Sequence, residues 1–320
     1  MKKGRIIPTT STNLRHKWLE KLGGIKNVSV RNKEWLILLQ EDTRNSLMIE
    51  GHFVTRADLA DVIENSKYSK HEHKILGYFD AAVASYELAF QQYKNKEFKI
   101  TKSIIQQAHS LMFRGDPNFS WTPGEWRKGD IKITGAEIAT SSPFKIERDI
   151  ENLIKIINTP EKNLVRKVAV VHDVFEQIHP FPDGNGRVGR ILLNFILVGH
   201  GYPNIAIKGF GKDLKLYIDA LEEGDSVVGK LLSKSGKVNP FTKPLIQLED
   251  LISKSIAIAL DVIICTRYNE IKKLMTLEEI SKTLNISLSS LRVACAQKKH
   301  ICSKIDGKIK THPDLFYLPE

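Results

Sequence analysis

One run of residues concentrates the chemistry this chain can offer: His179-Pro180-Phe181-Pro182-Asp183-Gly184-Asn185-Gly186-Arg187-Val188-Gly189-Arg190. His179 is an imidazole, which exchanges a proton near neutral pH without special tuning. Asp183 supplies a hard oxygen for Mg²⁺, an ion that usually binds one or two carboxylates together with substrate phosphates. Gly184 and Gly186 accept positive φ and carry no Cβ, so main-chain N–H groups can approach an anion closely. Arg187 and Arg190 add planar cationic forks for phosphate oxygens. Each residue type suits one task in handling a nucleoside triphosphate.

The neighbouring segments must position that run. Leu164 to Gln177 reads as a helix that delivers His179 to the loop, and the apolar stretch from Arg187 to Val198 reads as a second helix ending near Gly199 and Gly201. A glycine-rich loop opening a helix presents N–H groups and the positive end of the macrodipole, a natural phosphate seat. Arg187 and Arg190 are three apart and share a helix face. Their side chains lean toward the helix N-terminus, back over the loop. The competing reading is a basic helix cap beside a satisfied histidine. The ordered combination of types favours the phosphate site.

At every specified position the run matches H-x-F-x-[DE]-G-N-G-R-x-x-R, and in this it resembles the Fic family. The resemblance implies a mainly α-helical core, with a small β-hairpin flap, that transfers AMP from ATP to a hydroxyl side chain of a protein. It further implies that His179 deprotonates the hydroxyl, which attacks the α-phosphate, and that Asp183 holds Mg²⁺ on the α and β phosphates. Gly184, Asn185 and Gly186 would form the anion hole, Arg187 and Arg190 would reach the outer phosphates, and Phe181 would anchor the loop in the core. The related Doc kinases carry a lysine where Gly186 stands and bind the nucleotide reversed, so glycine here points to nucleotidyl transfer.

Far upstream lies Ser46-Leu47-Met48-Ile49-Glu50-Gly51. Read alone, it is a helix ending on a glycine cap. Beside the signature it resembles the inhibitory-helix motif [ST]-x-x-x-E-[GN] of Fic proteins that carry this helix N-terminal to the core. The resemblance implies that Glu50 pairs with the second signature arginine, Arg190, with Ser46 part of the same motif. A carboxylate there removes a γ-phosphate partner and sets negative charge where the triphosphate must sit. Between the two motifs, Gly124-Glu125-Trp126-Arg127-Lys128-Gly129-Asp130-Ile131-Lys132-Ile133-Thr134-Gly135 looks like the family's flap. Alternating isoleucines between glycines fit short strands, whose edge could hold a target segment by strand addition. His200-Gly201-Tyr202-Pro203 and Tyr217-Ile218-Asp219-Ala220-Leu221 also look familial, without an assigned nucleotide contact.

At 320 residues, 42% hydrophobic and 27% charged, the composition is that of a globular protein with one large core or two modest ones. Three cysteines, Cys265, Cys295 and Cys302, are too few and too C-terminal for a disulfide framework and fit a reducing, cytoplasmic setting. The basic start Met1 to Pro8 is followed by no signal-length apolar stretch, and no membrane partner is expected. The net charge of +11 suits ATP, an acidic protein or nucleic acid, and equally a solvated lysine surface.

Three parts are predicted. Residues 1–99 are helical, with helices from Arg31 to Leu39, through the Glu50 segment, and from His73 to Tyr93. In His71-Glu72-His73 the i, i+2 spacing separates the rings and reads as a polar helix start, not a metal site. Residues 100–232 are the catalytic core. Residues 233–320 begin with breaker chemistry from Ser233 to Pro240, then a helix from Ile256 to Leu274. Thr276-Leu277-Glu278-Glu279 is a capping box opening a helix to Leu284; a helix from Leu288 to Lys298 and an Asp306-Gly307 hairpin follow. Helix, turn, helix, hairpin is the order of a C-terminal winged helix, with Arg292, Lys298, Lys299 and Lys308 to Lys310 available for DNA phosphates, or a docking module with no DNA partner. The function expected is Mg²⁺-dependent AMP transfer from ATP to a Tyr, Thr or Ser hydroxyl of a target protein, the chain itself included, restrained by Glu50. The alternatives are removal of AMP from a modified protein and a DNA-binding regulator with a nucleotide-sensing core. Family precedent implies a homodimer.

Overall fold

The computed structural model describes residues 12–64, 72–114, 120–133, 140–233, 241, 243–317 and 319. Along them run α1 (Thr12–Lys21), α2 (Lys33–Ile49), α3 (Arg56–Leu59), α4 (Glu72–Asn95), α5 (Lys102–Met112), α6 (Ile146–Asn158), α7 (Leu164–Ile178) and α8 (Asn185–Val198). Then come α9 (Gly211–Ser233), α10 (Ile246–Ile271), β1 (Met275–Thr276), α11 (Leu277–Leu284), α12 (Leu288–Ala296), β2 (Ser303–Ile305) and β3 (Lys308–Thr311). The fold is mainly α-helical with one small sheet. It divides into two compact units, Asn27–Ile252 and Met1–Lys26 with Ser253–Glu320. His71 and residues 234–240 lie outside the described residues.

In the larger unit α8 is the central helix. Every residue from Val188 to Val198 is buried, as expected of a helix that is apolar around most of its circumference. It packs against α7, α4, α5 and α2, and α7 packs in turn on α6 and α9. The outer helices are one-sided: in α6, Ile146, Ile150, Leu153 and Ile157 are buried at spacings of three and four. Burying each such side chain contributes about 1.5–3 kcal/mol. The starts are set by capping side chains: Thr101 accepts from Ile104 N–H and Asn163 from Arg166 N–H.

The helix expected at 31–39 and the Glu50 segment form one uninterrupted α2, because no glycine or proline falls between Lys33 and Ile49. Asn32 caps its start by accepting from Glu34 N–H at 3.1 Å. Gly51, at φ 79°, ends it in a Schellman motif, with Gly51 N–H on Met48 C=O at 3.0 Å and His52 N–H on Leu47 C=O at 2.9 Å. A β-carbon would disfavour that left-handed turn.

The smaller unit joins α1 to the C-terminal elements. Arg15 is fully buried; its Nε donates to Asp261 Oδ1 at 2.7 Å, and its Nη2 donates to the carbonyls of Lys298 (2.9 Å) and His300 (3.2 Å). Trp18 Nε1 of α1 also donates to Tyr317 C=O at 2.9 Å, and sequence reasoning missed this helix because these contacts are all long-range. The sheet has strand order β1-β3-β2, all antiparallel, with Met275 opposite Thr311 and Ser303 opposite Lys310. β1, two residues long, is too short to show periodicity and was not expected. Leu277, Ile280, Leu291, Cys295, Cys302 and Phe316 are buried, and all three cysteines are free thiols. Arg292 pairs with Glu278 at 2.9 Å and Lys310 with Asp306 at 2.9 Å, so these two cations face local carboxylates. Such exposed pairs contribute only about 0–1 kcal/mol and exchange readily. No helix among the described residues is long and apolar enough to cross a membrane.

Candidate active site

α7 ends on His179, which adopts the left-handed conformation at φ 50° and ψ 59°. That turn reverses the chain at the helix end and starts the loop. It costs a residue with a β-carbon about 1 kcal/mol or more, a local strain of the kind that clusters at functional sites. The ring is held by Nδ1 to the Glu176 carbonyl at 3.1 Å. A carbonyl only accepts, so Nδ1 carries the proton and Nε2 keeps a lone pair. Burial lowers the His179 pKa, aided by the Arg127 charge and opposed by the Glu176 carbonyl and the Glu50 and Asp183 charges. A neutral imidazole with an accepting Nε2 is the form a general base needs.

Past the loop, α8 opens at Gly184 with no side-chain cap. The N–H groups of its first turn have no intrahelical acceptor, and the positive end of the helix dipole lies there. Gly186 sits in that turn, and a Cβ on it would lie 2.6 Å from Glu50 Oε1 and 3.1 Å from Arg190 Nη1. Glu50 therefore places its carboxylate beside Gly186, in the turn where the sequence predicts an anion. Arg190 Nη2 donates to Glu50 Oε1 at 2.6 Å and to the Ser46 carbonyl at 3.1 Å, and its Nε donates to Ser46 Oγ at 2.7 Å. Arg190 is 3% exposed and Ser46 1%, whereas the Glu50 side chain keeps 28% of its surface in solvent. Burial alone would raise the Glu50 pKa; the charge and hydrogen bond of Arg190, with the Arg187 charge, more than offset it and hold the acid low.

Arg187 points elsewhere. Its Nη2 reaches Asp183 Oδ1 at 3.2 Å and its guanidinium lies 5.0 Å from the Phe113 ring centre. Its buried Nε has no hydrogen-bond partner among the described residues, a donor left for a ligand. Asp183 Oδ1 also accepts from Gly184 N–H at 2.5 Å. The described residues hold no cluster of three or more His, Cys, Asp or Glu able to enclose a metal. An ion bound through one carboxylate and phosphate oxygens needs no such cluster, and the exposed Asp183 carboxylate fits that donor set.

The Asn185 side chain turns back to the loop, accepting from Phe181 N–H at 2.8 Å and donating to Phe181 C=O at 2.8 Å. Phe181 is fully buried and stacks on His109, ring centres 3.8 Å apart at 5°. Asn185→Ala strands both Phe181 main-chain groups at about 1–3 kcal/mol each, so urea unfolding is expected to show a loss of about 2 kcal/mol or more together with loss of activity.

Three supports went unassigned in the sequence. His109 accepts Gly124 N–H at Nδ1 (2.8 Å), so its Nε2–H donates to the Asp183 carbonyl at 3.1 Å. Burial pushes its pKa down to about 4, keeping it a neutral strut. Arg127 donates from Nε to His179 C=O at 2.7 Å and from Nη1 to Gly129 C=O at 2.7 Å, and its N–H donates to Pro180 C=O at 2.9 Å. It thus pins residues 124–133 to the His179 loop by satisfying carbonyls at the end of α7. Residues 124–133 contain turns, bends and irregular backbone but no strand pairing, and Thr140 Oγ1 donates to Ile131 C=O at 3.0 Å; Thr134 and Gly135 lie outside the described residues. Tyr217, in the segment left without a role, is buried and bonds His172 Nε2 at 2.7 Å. A lone His, Arg or Tyr carries no spacing signal, so only the fold reveals these supports.

The fold is thus a helical one in which a loop opens a buried helix between an imidazole and two arginines. The Fic/DOC family model matches residues 99–197. A probable protein adenylyltransferase of Aquifex aeolicus is 32% identical over 298 residues, covering 88% of this chain and 88% of that relative. The protein adenylyltransferase Fic of Aedes aegypti is 28% identical over 190 residues, 57% of this chain but 36% of that protein's length. Among solved structures, a Fic-domain-containing signaling protein from Bacteroides thetaiotaomicron shares the fold at a TM-score of 0.68 and 22% identity, covering 82% of this chain and 97% of that one. Fic-1 from C. elegans follows at a TM-score of 0.57 and 16% identity, covering 79% and 71%. The chain belongs to the Fic/DOC family.

Proposed function

We propose that this protein is an adenylyltransferase that moves AMP from ATP to a Tyr, Thr or Ser hydroxyl of a target protein and is restrained by Glu50. The observation that carries the reading is the neutral His179 beside an uncapped helix N-terminus flanked by Arg187 and Arg190. The similarity to proteins named adenylyltransferases supports ATP as the donor. The target oxygen attacks the α-phosphorus, its proton passes to His179 Nε2, and the bond from the α-phosphorus to the bridging oxygen breaks. Pyrophosphate leaves with that electron pair. The α8 amides and the arginine forks stabilise charge gathering on the phosphates. Asp183 would hold Mg²⁺, which supplies neutralisation of phosphate charge.

In the same reading α2 is an inhibitory helix. The Glu50 carboxylate occupies Arg190 and sits over Gly186, so a triphosphate meets a filled cation and an opposing charge. In the smaller unit, α11, α12 and the β2–β3 hairpin form a winged helix, supported by its element order. The test uses ATP labelled at the α or the γ position with the Glu50→Gly variant and candidate target proteins. Label is expected on protein from the α position only. Incorporation from the γ position would make the enzyme a kinase and overturn the proposal.

A further inference from the structure

We propose that Asp42 is the positioning residue that holds the inhibitory face of α2 in register with Arg190, so that loosening this buried carboxylate frees the site while Glu50 itself is intact. The proposal rests on the reading of Glu50 as an inhibitor and deepens it. Asp42, Ser46 and Glu50 follow one another at intervals of four and therefore line one face of α2. Glu50, at the C-terminal end of that face, is partly in solvent, and Asp42, two turns earlier, is only 2% exposed.

Asp42 is bonded to two other helices. From α4, Tyr86 Oη donates to its Oδ2 at 2.7 Å and Tyr78 Oη to its Oδ1 at 3.1 Å. From α8, Asn194 Nδ2 donates to Oδ2 at 3.2 Å. Asn194 lies one turn beyond Arg190, so Asp42–Asn194 and Ser46/Glu50–Arg190 form successive rungs between the same two helices. Asn194 is itself fixed by Ile205, donating to its carbonyl at 2.9 Å and accepting its N–H at 2.8 Å. In the second rung Ser46 Oγ accepts Arg190 Nε at 2.7 Å. Asp42 and Ser46, one turn apart on α2, thus meet Asn194 and Arg190, one turn apart on α8, and the second rung holds the arginine that a triphosphate needs.

Asp42 makes none of its hydrogen bonds to the His179 loop or the first turn of α8. Burial raises its pKa to about 7, with the tyrosine hydrogen bonds and the Arg190 charge opposing. A group so poorly solvated depends on its donors, and exchanging one carboxylate oxygen for an amide NH₂ sets donor against donor. Asp42→Asn keeps the size and disrupts the rung. Tyr86→Phe removes one donor and leaves the carboxylate, which makes it the second variant if the first fails to fold.

The experiment measures AMP transfer from α-labelled ATP by the full chain carrying Asp42→Asn or Tyr86→Phe, each with Glu50 present and in a Glu50→Gly background. Thermal unfolding of each variant is followed in parallel. With Glu50 present, each variant is expected to raise transfer by about fivefold or more, the size of an ordinary coupling between sites. In the Glu50→Gly background neither is expected to raise it further. A merely structural role predicts equal slowing in both backgrounds and overturns the proposal. So does an unchanged rate in folded Asp42→Asn and Tyr86→Phe while Glu50→Gly alone is activated. No gain in Glu50→Gly itself removes the inhibitory reading, and this proposal falls with it.

Discussion

Glu50→Gly is expected to raise AMP transfer by about ten- to a hundredfold, because a charged hydrogen bond of about 1.5–3 kcal/mol must otherwise be broken before the triphosphate can use Arg190. The contact to be broken is short, 2.6 Å from Arg190 Nη2 to Glu50 Oε1, and its arginine side is buried. The variant also clears the space above Gly186, where Glu50 Oε1 lies 2.6 Å from the position a Cβ would take. Glu50→Gln separates the two effects: it keeps the bulk, weakens the ion pair and should give a smaller gain. Rates from α-labelled ATP on all three proteins check the order. A glycine variant that folds and transfers no faster than wild type would show that Glu50 does not restrain the site.

His179→Ala in the Glu50→Gly background is expected to lower the rate by about 10²–10⁴-fold, the usual contribution of a positioned general base. ATP binding should change little, since the phosphate seat is built from α8 and its arginines. The pH dependence follows from the direction of the shift. His179 must be neutral to accept a proton, and burial lowers its pKa below the ordinary imidazole value of 6.5. The base stays competent as pH falls past that value and is protonated only below it. The acid limb of the Glu50→Gly rate profile is therefore expected below pH 6.5, a value set by the free imidazole. A limb above it, or a rate insensitive to His179→Ala, would assign the base to another group.

Much of the site was legible because it is local. His179 to Arg190 forms one loop and one helical turn, so the ordered residue types carry the geometry with them. The same holds for Gly51, whose turn ends α2, and for Thr276 and Glu279, whose reciprocal hydrogen bonds cap α11. The Ser46–Gly51 hexapeptide had a family resemblance to suggest Arg190 as the partner of Glu50, across 140 positions of chain, and the structure places the two in contact. The direction of the Asn185 side chain was not legible, because a helix N-terminus leaves open whether an amide faces the ligand or the loop. Packing of Phe181 against His109 decides that it faces the loop.

By itself, the sequence determined the local devices: a neutral-range imidazole before a glycine-rich helix start, two arginines on its first two turns, and caps that begin and end the helices. Those features depend on backbone geometry within a few residues, which residue type controls directly. Only the tertiary structure decided which buried groups share a hydrogen bond. It joined α1 to the C-terminal unit through Arg15 and Asp261, pinned the His179 loop with Arg127 and His109, and set Asp42 among two tyrosines and Asn194. A buried polar group must find a partner, and which one it finds depends on how helices distant in sequence pack, a choice that no spacing along the chain encodes.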